Sequence, residues 1–341
     1  MSGRLQVAIL TRSHDFHAYA VRQVLRTRDA ECWIIETDRL AGVGGMSWPL
    51  SGEIETATLR DVDGQFVRVR DLDLVWWRRL TGDPQLPESL IDDSARDLVT
   101  RDCRATMLGI MFTEFRGAWI SNPEATRRAE NKLVQLRAAQ HEGVKIPQTL
   151  ISQNPELIRD FCTRLDYQVI VKAVAGTWKT PLMTGRIEQS MLTSDIALSL
   201  SPAIYQELVP GTRHLRICCF GEEVRAVLLE TERLDWRYPL DARATPYRLD
   251  RTITGTLTRI IQRLGLRMGI VDMKLNDDNE PVWLEVNTQG QFLFLEEMCG
   301  IELLYPFVDF LSREATTHNL MPKLDDGQAK VEGQREGVVC L

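Results

Sequence analysis

The chain opens with two apolar runs separated by an amphipathic stretch. Residues 5–11 (LQVAILT) and 31–38 (ECWIIETD) have the length and apolarity of buried strands, and residues 15–29 repeat apolar positions at helical spacing. This order predicts a β-α-β unit. A more polar, hairpin-like stretch follows at 52–70, and LDLVWWRR at 72–79 predicts another buried strand. We therefore expect an α/β lobe in the first third of the chain.

A helical stretch at 121–149 predicts a boundary between this lobe and the next. Asn122 is suited to cap a helix, Pro123 to its first position and Gly143 to its end. The next lobe is predicted to contain a helix near 155–164 and strands at 167–174 and 203–209.

Four further apolar runs predict a third lobe. Its strands are expected at 214–220, 223–231, 268–275 and 281–287, with helices near 252–264 and 301–315 and a short helix from Phe292 to Met298. The polar end of the chain shows little apolar periodicity and is predicted to be disordered.

Charge and cysteine content narrow the classes of function. The net charge of −7 argues against binding to nucleic acid or to an anionic membrane, and no apolar run is long enough to span a bilayer. The seven cysteines show no C-x-x-C spacing, which predicts reduced thiols and neither a disulfide framework nor a zinc cluster. The N-terminus lacks the pattern of a signal peptide, so we expect a soluble, cytoplasmic protein.

The stretch MGIVDMKLNDDNEPVWLEVN (268–287) places charge inside strand-like runs. A hairpin turn centred between Asp278 and Asn279 would set Asp272 opposite Glu285, with Asn287 on the same face. Opposed like charges destabilise a sheet unless a positive group intervenes, and Mg²⁺ prefers such oxygen ligands. The alternative, that one carboxylate pairs with an arginine or is solvated, is open at this point.

Cations elsewhere could bind the phosphates that usually complete such a magnesium site. Lys172 ends the apolar strand VIVK, Lys132 lies on the helix entering the same lobe, and Lys179 lies in the loop 175–181. The stretch YQELVPG (205–211) predicts a hinge strand whose backbone could bind an adenine edge. The sequence contains neither a P-loop nor a dinucleotide-binding fingerprint.

Taken in order, these motifs resemble the ATP-grasp superfamily over about residues 120–315. They are N-K-L (131–133), I-V-K (170–172), Q-E-L-V-P (206–210), L-R-I (215–217), V-D-M-K (271–274) and L-E-V-N (284–287). The stretches VWWRR, NPEATRRAENKLVQLRAAQ and LEVNTQGQFLFLEEMCGI resemble more narrowly the microviridin-type ligases, which macrocyclise ribosomal peptides into graspetides. Ribosomal-protein glutamate ligases are a more distant match.

The resemblance implies an ATP-grasp fold with α+β lobes and ATP bound between the central and C-terminal lobes. The implied domains are an N-terminal pre-ATP-grasp domain at 1–122, a central subdomain at 123–205, a C-terminal subdomain at 206–318 and a disordered tail at 319–341. The implied metal ligands are Asp272, Glu285 and Asn287, holding Mg²⁺ (two ions, with Glu285 bridging), and the implied ATP contacts are Lys132, Lys172, Gln206, Glu207, Leu208, Val209 and His214.

Arginines complete the implied catalytic set together with Lys172. Arg216 would lie near the transferred phosphoryl group, and Arg213 and Arg216 would orient the acceptor carboxylate. Arg78 and Arg79 would contact peptide from the first lobe, or would form a solvated pair at the sheet rim. The sequence departs from the resemblance at His214, where many relatives carry an acidic ribose contact, and in the loop 175–181, which is poorer in glycine.

The implied reaction is carboxylate activation. ATP phosphorylates a Glu or Asp side chain of a precursor peptide that carries a leader, and a Ser or Thr hydroxyl or a Lys amine attacks the acyl phosphate to give an ester or amide. An amino-acid or protein-tail (glutamate-type) ligase and a nucleotide-binding regulator without turnover are the alternatives. A homodimer is also an expectation from the resemblance.

Overall fold

The computed structural model describes residues 4–50, 56–80, 85–86, 92–175, 183–237 and 241–320. Lys179 and the end of the chain from residue 321 lie outside these ranges, so the predictions for the loop at 175–181 and for the tail concern residues that are not described here. The final helix continues to Leu320, two residues beyond the predicted end of the C-terminal subdomain.

The N-terminal part contains seven strands and two helices in the described ranges. These are β1 (Leu5–Thr11), α1 (Phe16–Thr27), β2 (Ala30–Glu36), β3 (Met46–Ser47), β4 (Thr58–Arg60), β5 (Phe66–Arg68), β6 (Leu74–Trp77), α2 (Asp93–Glu114) and β7 (Ala118–Ile120). The parallel sheet has the order β2-β1-β6-β7, and β3, β4 and β5 form a small antiparallel sheet. The predicted β-α-β opening and the hairpin at 52–70 are therefore confirmed for the described residues.

The predicted helix at 121–143 is in fact two helices. α3 (Pro123–Ala129) begins at the Asn122 cap, and α4 (Lys132–His141) begins at a second cap, Asn131. The Asn131 side chain accepts a hydrogen bond from the Leu133 N–H at 2.9 Å. A capping asparagine offers the backbone an alternative to continuing the helix, which explains why the prediction of a single helix was wrong. The break makes Lys132 the first residue of α4.

The central part is a small antiparallel sheet covered by helices. It contains β8 (Thr149–Ser152), α5 (Pro155–Arg164), β9 (Val169–Ala173), β10 (Gly185–Arg186), α6 (Asp195–Ser199) and β11 (Ala203–Glu207), with the strand order β10-β9-β11-β8. Its core is separate from those of the other parts and is formed by residues such as Ile158, Phe161 and Tyr205.

The C-terminal part is an antiparallel sheet of five strands with the order β14-β13-β12-β15-β16. Its elements are β12 (Arg213–Phe220), β13 (Glu223–Glu230), β14 (Arg243–Tyr247), α7 (Arg251–Arg263), β15 (Met268–Leu275), β16 (Pro281–Asn287), α8 (Phe294–Cys299) and α9 (Leu304–Leu320). All predicted strands and helices of this part are present; β14 was not predicted.

One apolar core joins the N-terminal and C-terminal parts. It combines Ile9 and Trp76 of the parallel sheet with Phe220 of β12 and Phe307 of α9. The rings of Phe220, Phe292 and Phe307 pack with their centroids about 5 Å apart, a separation typical of aromatic pairs in protein cores. The two outer parts are thus held as one packed unit, whereas the central part has its own core.

Candidate active site

A cleft lies between the central sheet and the C-terminal sheet. Its lining comes from β9 and β11 on one side, from β12, β15 and β16 on the other, and from the start of α4. The lining residues include Lys132, Lys172, Gln206, Glu207, Leu208, Val209, His214, Asp272 and Glu285, together with Asp235, Trp236, Arg237 and Lys274. Most of the residues predicted to bind nucleotide or metal therefore line one cleft.

The register of β15 and β16 pairs Asp272 with Glu285, as the sequence predicts. The turn itself is one position off the predicted one, since Leu275 pairs with Pro281 and Met273 with Trp283. A β-bulge between Asp272 and Met273 absorbs the extra residue, Leu284, and restores the predicted pairing at the site. Leu284 and Glu285 consequently both face the cleft.

Asp272 is held by an arginine from the neighbouring strand. The Arg216 Nη1 atom lies 2.9 Å and 2.7 Å from the two oxygens of Asp272, and Arg216 Nη2 donates to the Gln291 carbonyl at 2.9 Å. Asn287 Nδ2 also donates to Asp272, at 3.0 Å. Burial raises the pKa of Asp272 and the negative Glu285 adds to this rise, while Arg216 and Arg237 oppose it. The alternative left open by the sequence, that one of the two carboxylates pairs with an arginine, is therefore correct for Asp272.

Glu285 is held in its charged form by three cations. Lys132 Nζ lies 2.9 Å from Glu285 Oε2, and Arg237 Nη1 lies 4.0 Å from Glu285 Oε1. Burial on its own would raise the pKa of Glu285, but Lys132, Lys172 and Arg237 outweigh burial and lower it to about 2. Glu285 is thus an anion at every physiological pH.

Lys172 is a cation of the cleft whose pKa is strongly lowered. Burial lowers the pKa of Lys172 to about 8, with Lys132 and Arg237 acting in the same direction and Glu285 against it. No described carboxylate lies within ion-pairing distance of its ammonium. A buried ammonium without a partner gains most from an added anion, so Lys172 is well placed to bind a phosphate.

His214 of β12 is directly paired with Lys274 of β15. Burial, aided by Lys274, lowers the pKa of His214 to about 4, so its imidazole is neutral. Its buried Nε2 atom has no hydrogen-bond partner among the described residues. A neutral imidazole with one free nitrogen can donate to or accept from a hydroxyl group, which is compatible with a ribose contact.

The stretch predicted to bind adenine lies at the cleft, but much of its backbone already has partners. The N–H of Glu207 donates to the Gln148 carbonyl at 2.8 Å, and that of Leu208 to the Gln168 carbonyl at 2.9 Å. Gln206 is fully buried, and its side-chain oxygen lacks a partner among the described residues. The Val209 N–H has no such backbone bond in the described chain, which makes Val209 the candidate donor to a base.

The donor set at the end of β16 fits a hard divalent cation. Asp272, Glu285 and the amide of Asn287 supply oxygen ligands, the type that Mg²⁺ prefers. Within the described residues, no group of three or more His, Cys, Asp or Glu side chains could hold a metal by itself. A magnesium site here would therefore depend on the Asn287 oxygen and on phosphate oxygens of a nucleotide.

None of the four predicted arginines is among the lining residues of the cleft, although Arg216 binds the lining residue Asp272. Arg213 donates to Asn279 in the hairpin turn, so the prediction that it orients the acceptor carboxylate receives no support from its position. Arg78 is buried against Asp15, with its Nε 2.6 Å from Asp15 Oδ2, and stacks over the Trp76 ring. Arg78 is therefore not part of a solvated rim pair. Arg79, beside it, is partly buried.

Among the cleft-lining residues that sequence reasoning missed, four are charged or aromatic. Asp235, Trp236 and Arg237 follow β13, and Arg237 Nε binds Asp235 at 2.7 Å while Trp236 packs 5.3 Å from the Arg216 guanidinium. Nothing in the local pattern LDWR (234–237) distinguishes it from a surface turn. Lys274 could have been found, because it lies two residues from Asp272 on the same strand and so shares its face.

The comparisons with known proteins agree with this architecture. The macrocyclase MdnC of Microcystis aeruginosa, solved with its precursor peptide MdnA, superposes with a TM-score of 0.79 over 92% of this chain and 100% of that one, at 24% identity. A RiPP-associated ATP-grasp ligase of Chryseobacterium gregarium, solved with ADP and leader and core peptides, has a TM-score of 0.81 over 91% of this chain and 97% of that one, at 21% identity.

In sequence, the chain is similar to the α-aminoadipate–LysW ligase LysX of Sulfurisphaera tokodaii, with 22% identity over 176 residues. The match covers 49% of this chain and 61% of LysX, so it spans less than two thirds of that relative. No family model matches the sequence.

Within the described ranges, no helix combines the length and apolarity that crossing a bilayer requires.

The order of the strands in the sheets and the extent of the superposition on the solved structures agree. The chain has the fold of the ATP-grasp ligases.

Proposed function

We propose that the protein is an ATP-dependent carboxylate ligase that crosslinks a ribosomally made precursor peptide. The observation that carries this proposal is the pair Asp272–Glu285, which lines a cleft between two sheets together with Lys132 and Lys172. Arg216 of the next strand binds Asp272 from outside the lining. A cleft with oxygen ligands on one wall and ammonium groups on the other suits a nucleoside triphosphate with its magnesium.

The proposed roles follow from these positions. In this proposal Lys132 and Lys172 contact the phosphates, Val209 and the rest of the 206–209 stretch hold adenine, and His214 contacts ribose. Asp272, Glu285 and Asn287 would hold magnesium, with two ions as the working number. Magnesium bound there would neutralise charge on the phosphates during transfer.

The proposed reaction has two steps. An oxygen of a Glu or Asp carboxylate attacks the γ-phosphorus, and ADP leaves. A Ser or Thr hydroxyl or a Lys amine then attacks the acyl carbon, phosphate leaves, and the proton of the attacking group passes to solvent or a base. We assign to Arg216, which donates to Asp272 and to the Gln291 carbonyl, the role of stabilising charge near the transferred group.

The substrate class rests on the structural neighbours. Both solved proteins described above contain precursor or leader and core peptides, and this chain covers nearly all of each. We accordingly propose a peptide with a leader and with Glu or Asp beside Ser, Thr or Lys in its core, and a homodimer as the working oligomeric state.

Release of ADP tests the proposal. The purified protein is incubated with ATP, Mg²⁺ and short peptides rich in Thr and Glu/Asp, including any that is encoded beside its gene, and the mass of each peptide is measured by mass spectrometry. We expect ADP release that depends on the peptide, with loss of one water per crosslink. If the protein binds ATP tightly but releases no ADP in the presence of any of the peptides, the result would contradict the proposal and would favour a regulator.

The second candidate is a ligase that acts on an amino acid or on a protein tail. The similarity to LysX favours it, although that match covers only about half of this chain. ADP release with a single amino acid such as glutamate, in the absence of peptide, would support this candidate over the first.

A further inference from the structure

The segment 288–293 leads from the proposed metal ligand Asn287 to α8, and the N-terminal lobe binds it directly. The Nε2 atom of His17, on α1, accepts hydrogen bonds from the backbone N–H groups of Phe292 at 2.9 Å and Leu293 at 3.1 Å. Trp76, on β6, donates from its indole nitrogen to Gln289 Oε1 at 3.0 Å. All of these contacts are buried.

The same segment is bound to the candidate active site on its other side. Arg216 donates to the Gln291 carbonyl with one nitrogen while it binds Asp272 with the other. Gly290 lies so close to Ile270 that an added Cβ atom would come within 2.8 Å of it. The segment is therefore held between the N-terminal lobe and the strands that carry the charged row.

His17 is suited to this contact because its imidazole is neutral. Burial, aided by Arg78, lowers the pKa of His17 to about 3, so the lone pair of Nε2 is free to accept both N–H groups. The proton then resides on Nδ1, which lies 4.0 Å from Asp15 Oδ1. The ring also packs edge-on against Phe292, with centroids 4.9 Å apart.

We propose that His17 and Trp76 are positioning residues of the ligase site: they fix the segment 288–293 so that Asn287 and Arg216 keep the geometry needed to bind a metal–triphosphate. The proposal rests on the function proposed above. It assigns to the N-terminal lobe a role in ordering the site, because removal of either contact leaves buried polar groups of the segment without partners.

The test compares His17→Leu, which removes the acceptor, with His17→Gln, whose side-chain oxygen can replace it. Trp76→Phe removes the indole donor and keeps a ring. Val24→Ala is the matched control, since Val24 lies two turns further along α1 in the same core. Hydrogen–deuterium exchange reports on the segment, and titration with the analogue AMPPNP, with Mg²⁺ or with EDTA, reports on the site.

In His17→Leu we expect the Phe292 and Leu293 amides to exchange at least about tenfold faster, because two buried hydrogen bonds are lost. We expect AMPPNP affinity in Mg²⁺ to fall about fivefold or more, with less than about a twofold change in EDTA. Trp76→Phe should show the same Mg²⁺-dependent loss, His17→Gln should restore most of both signals, and Val24→Ala should change neither.

Unchanged exchange at Phe292 and Leu293, or an equal loss of affinity with and without Mg²⁺, overturns the proposal. Trp76→Phe decides the question by the same readouts if His17→Leu does not fold. These readouts require no peptide turnover. An inactive wild-type protein would therefore count against the proposed function alone, while the exchange and AMPPNP data would still support or overturn the positioning role.

Discussion

At the scale of single residues, the site is a row in which two adjacent carboxylates lie between two cations. Arg216, Asp272 and Glu285 lie opposite one another on three adjacent strands, and Lys132 closes the row at Glu285. Each carboxylate is neutralised by a cation at 2.9 Å or less. Partial burial makes each charge costly to leave without its partner. Single substitutions in the row should therefore affect function strongly.

Replacement of Glu285 tests the row at its centre. Glu285→Gln should lower turnover by at least about a hundredfold, because the amide cannot supply the charge that a magnesium site needs. We expect the circular-dichroism spectrum to be unchanged. Glu280→Gln, in the exposed hairpin turn, is the control and should retain activity. Near-wild-type ligation by Glu285→Gln would falsify the metal assignment.

The lowered pKa of Lys172 predicts proton uptake when nucleotide binds. The pKa falls from the ordinary 10.5 to about 8 in the folded protein, and phosphate would raise it again. At pH 8 we expect uptake of roughly half a proton per ATP. Calorimetry in buffers of different ionisation enthalpy measures this uptake. It should vanish in Lys172→Met and persist in Lys145→Met, an exposed lysine.

The same pKa shift affects stability in the absence of ligand. Between pH 8 and 10.5 the unfolded chain holds more protons on this lysine than the folded one. The contribution of Lys172 to the free energy of unfolding therefore becomes more favourable as the pH rises through this range. Lys172→Met should lack this pH dependence in urea titrations. A wild-type curve that falls with pH, relative to the variant, would contradict the lowered pKa.

At the scale of elements, two local features set the site. The bulge at Leu284 shifts the register of the hairpin so that Asp272 pairs with Glu285. The Asn131 side chain caps α4, which begins at Lys132. The cap matters because it fixes the backbone from which Lys132 reaches Glu285. A capping side chain that supports Lys132, a proposed phosphate-binding residue, should influence both stability and nucleotide binding.

Asn131→Ala should lower the free energy of unfolding by about 1 kcal/mol, the usual effect of losing an N-cap. It should also raise the KM for ATP, because Lys132 loses its fixed starting position. Asn154→Ala is the matched control, since Asn154 caps α5 outside the cleft lining. Urea titration and ADP release measure the two effects. Equal KM values in both variants would contradict a role for the Asn131 cap in binding.

At the scale of the whole molecule, two of the apolar cores divide the described chain into unequal units. The core around Phe307 spans the N-terminal and C-terminal parts, and the core around Phe161 belongs to the central part. The cleft lies between these units. The cleft can therefore open and close without disrupting either core. This is usual for hinge motions, in which packed units move as rigid bodies.

Phe307→Ala should lower the free energy of unfolding by about 3–5 kcal/mol, because it leaves a cavity among Trp76, Phe220 and Phe292. Hydrogen exchange should show equal loss of protection in β1 and β12. Phe161→Ala, in the central core, should weaken protection only in β8 to β11. A loss in Phe307→Ala confined to one part would contradict a shared core.

The sequence by itself determined many of the strands and helices and the pairing of Asp272 with Glu285, because these follow from local periodicity. It did not predict α2, β7, β8, β10 or β14. Apolar alternation specifies which residues share a face, and the face decides which side chains can meet. The predicted centre of the hairpin turn was wrong by one position, but the predicted pairing of Asp272 with Glu285 was still correct because the bulge shifts the register.

Only the tertiary structure decided which charges meet. Arg216, Arg237 and Lys132 come from three separate elements, and their contacts with Asp272 and Glu285 depend on how those elements pack. The predicted Arg213 points to the hairpin turn, while the unpredicted Arg237 lines the cleft. The lowered pKa of Lys172 and the contact of His17 with the segment 288–293 likewise arise from burial between distant parts of the chain. Desolvation and long-range pairing have no period along a sequence, so they could not be inferred from it.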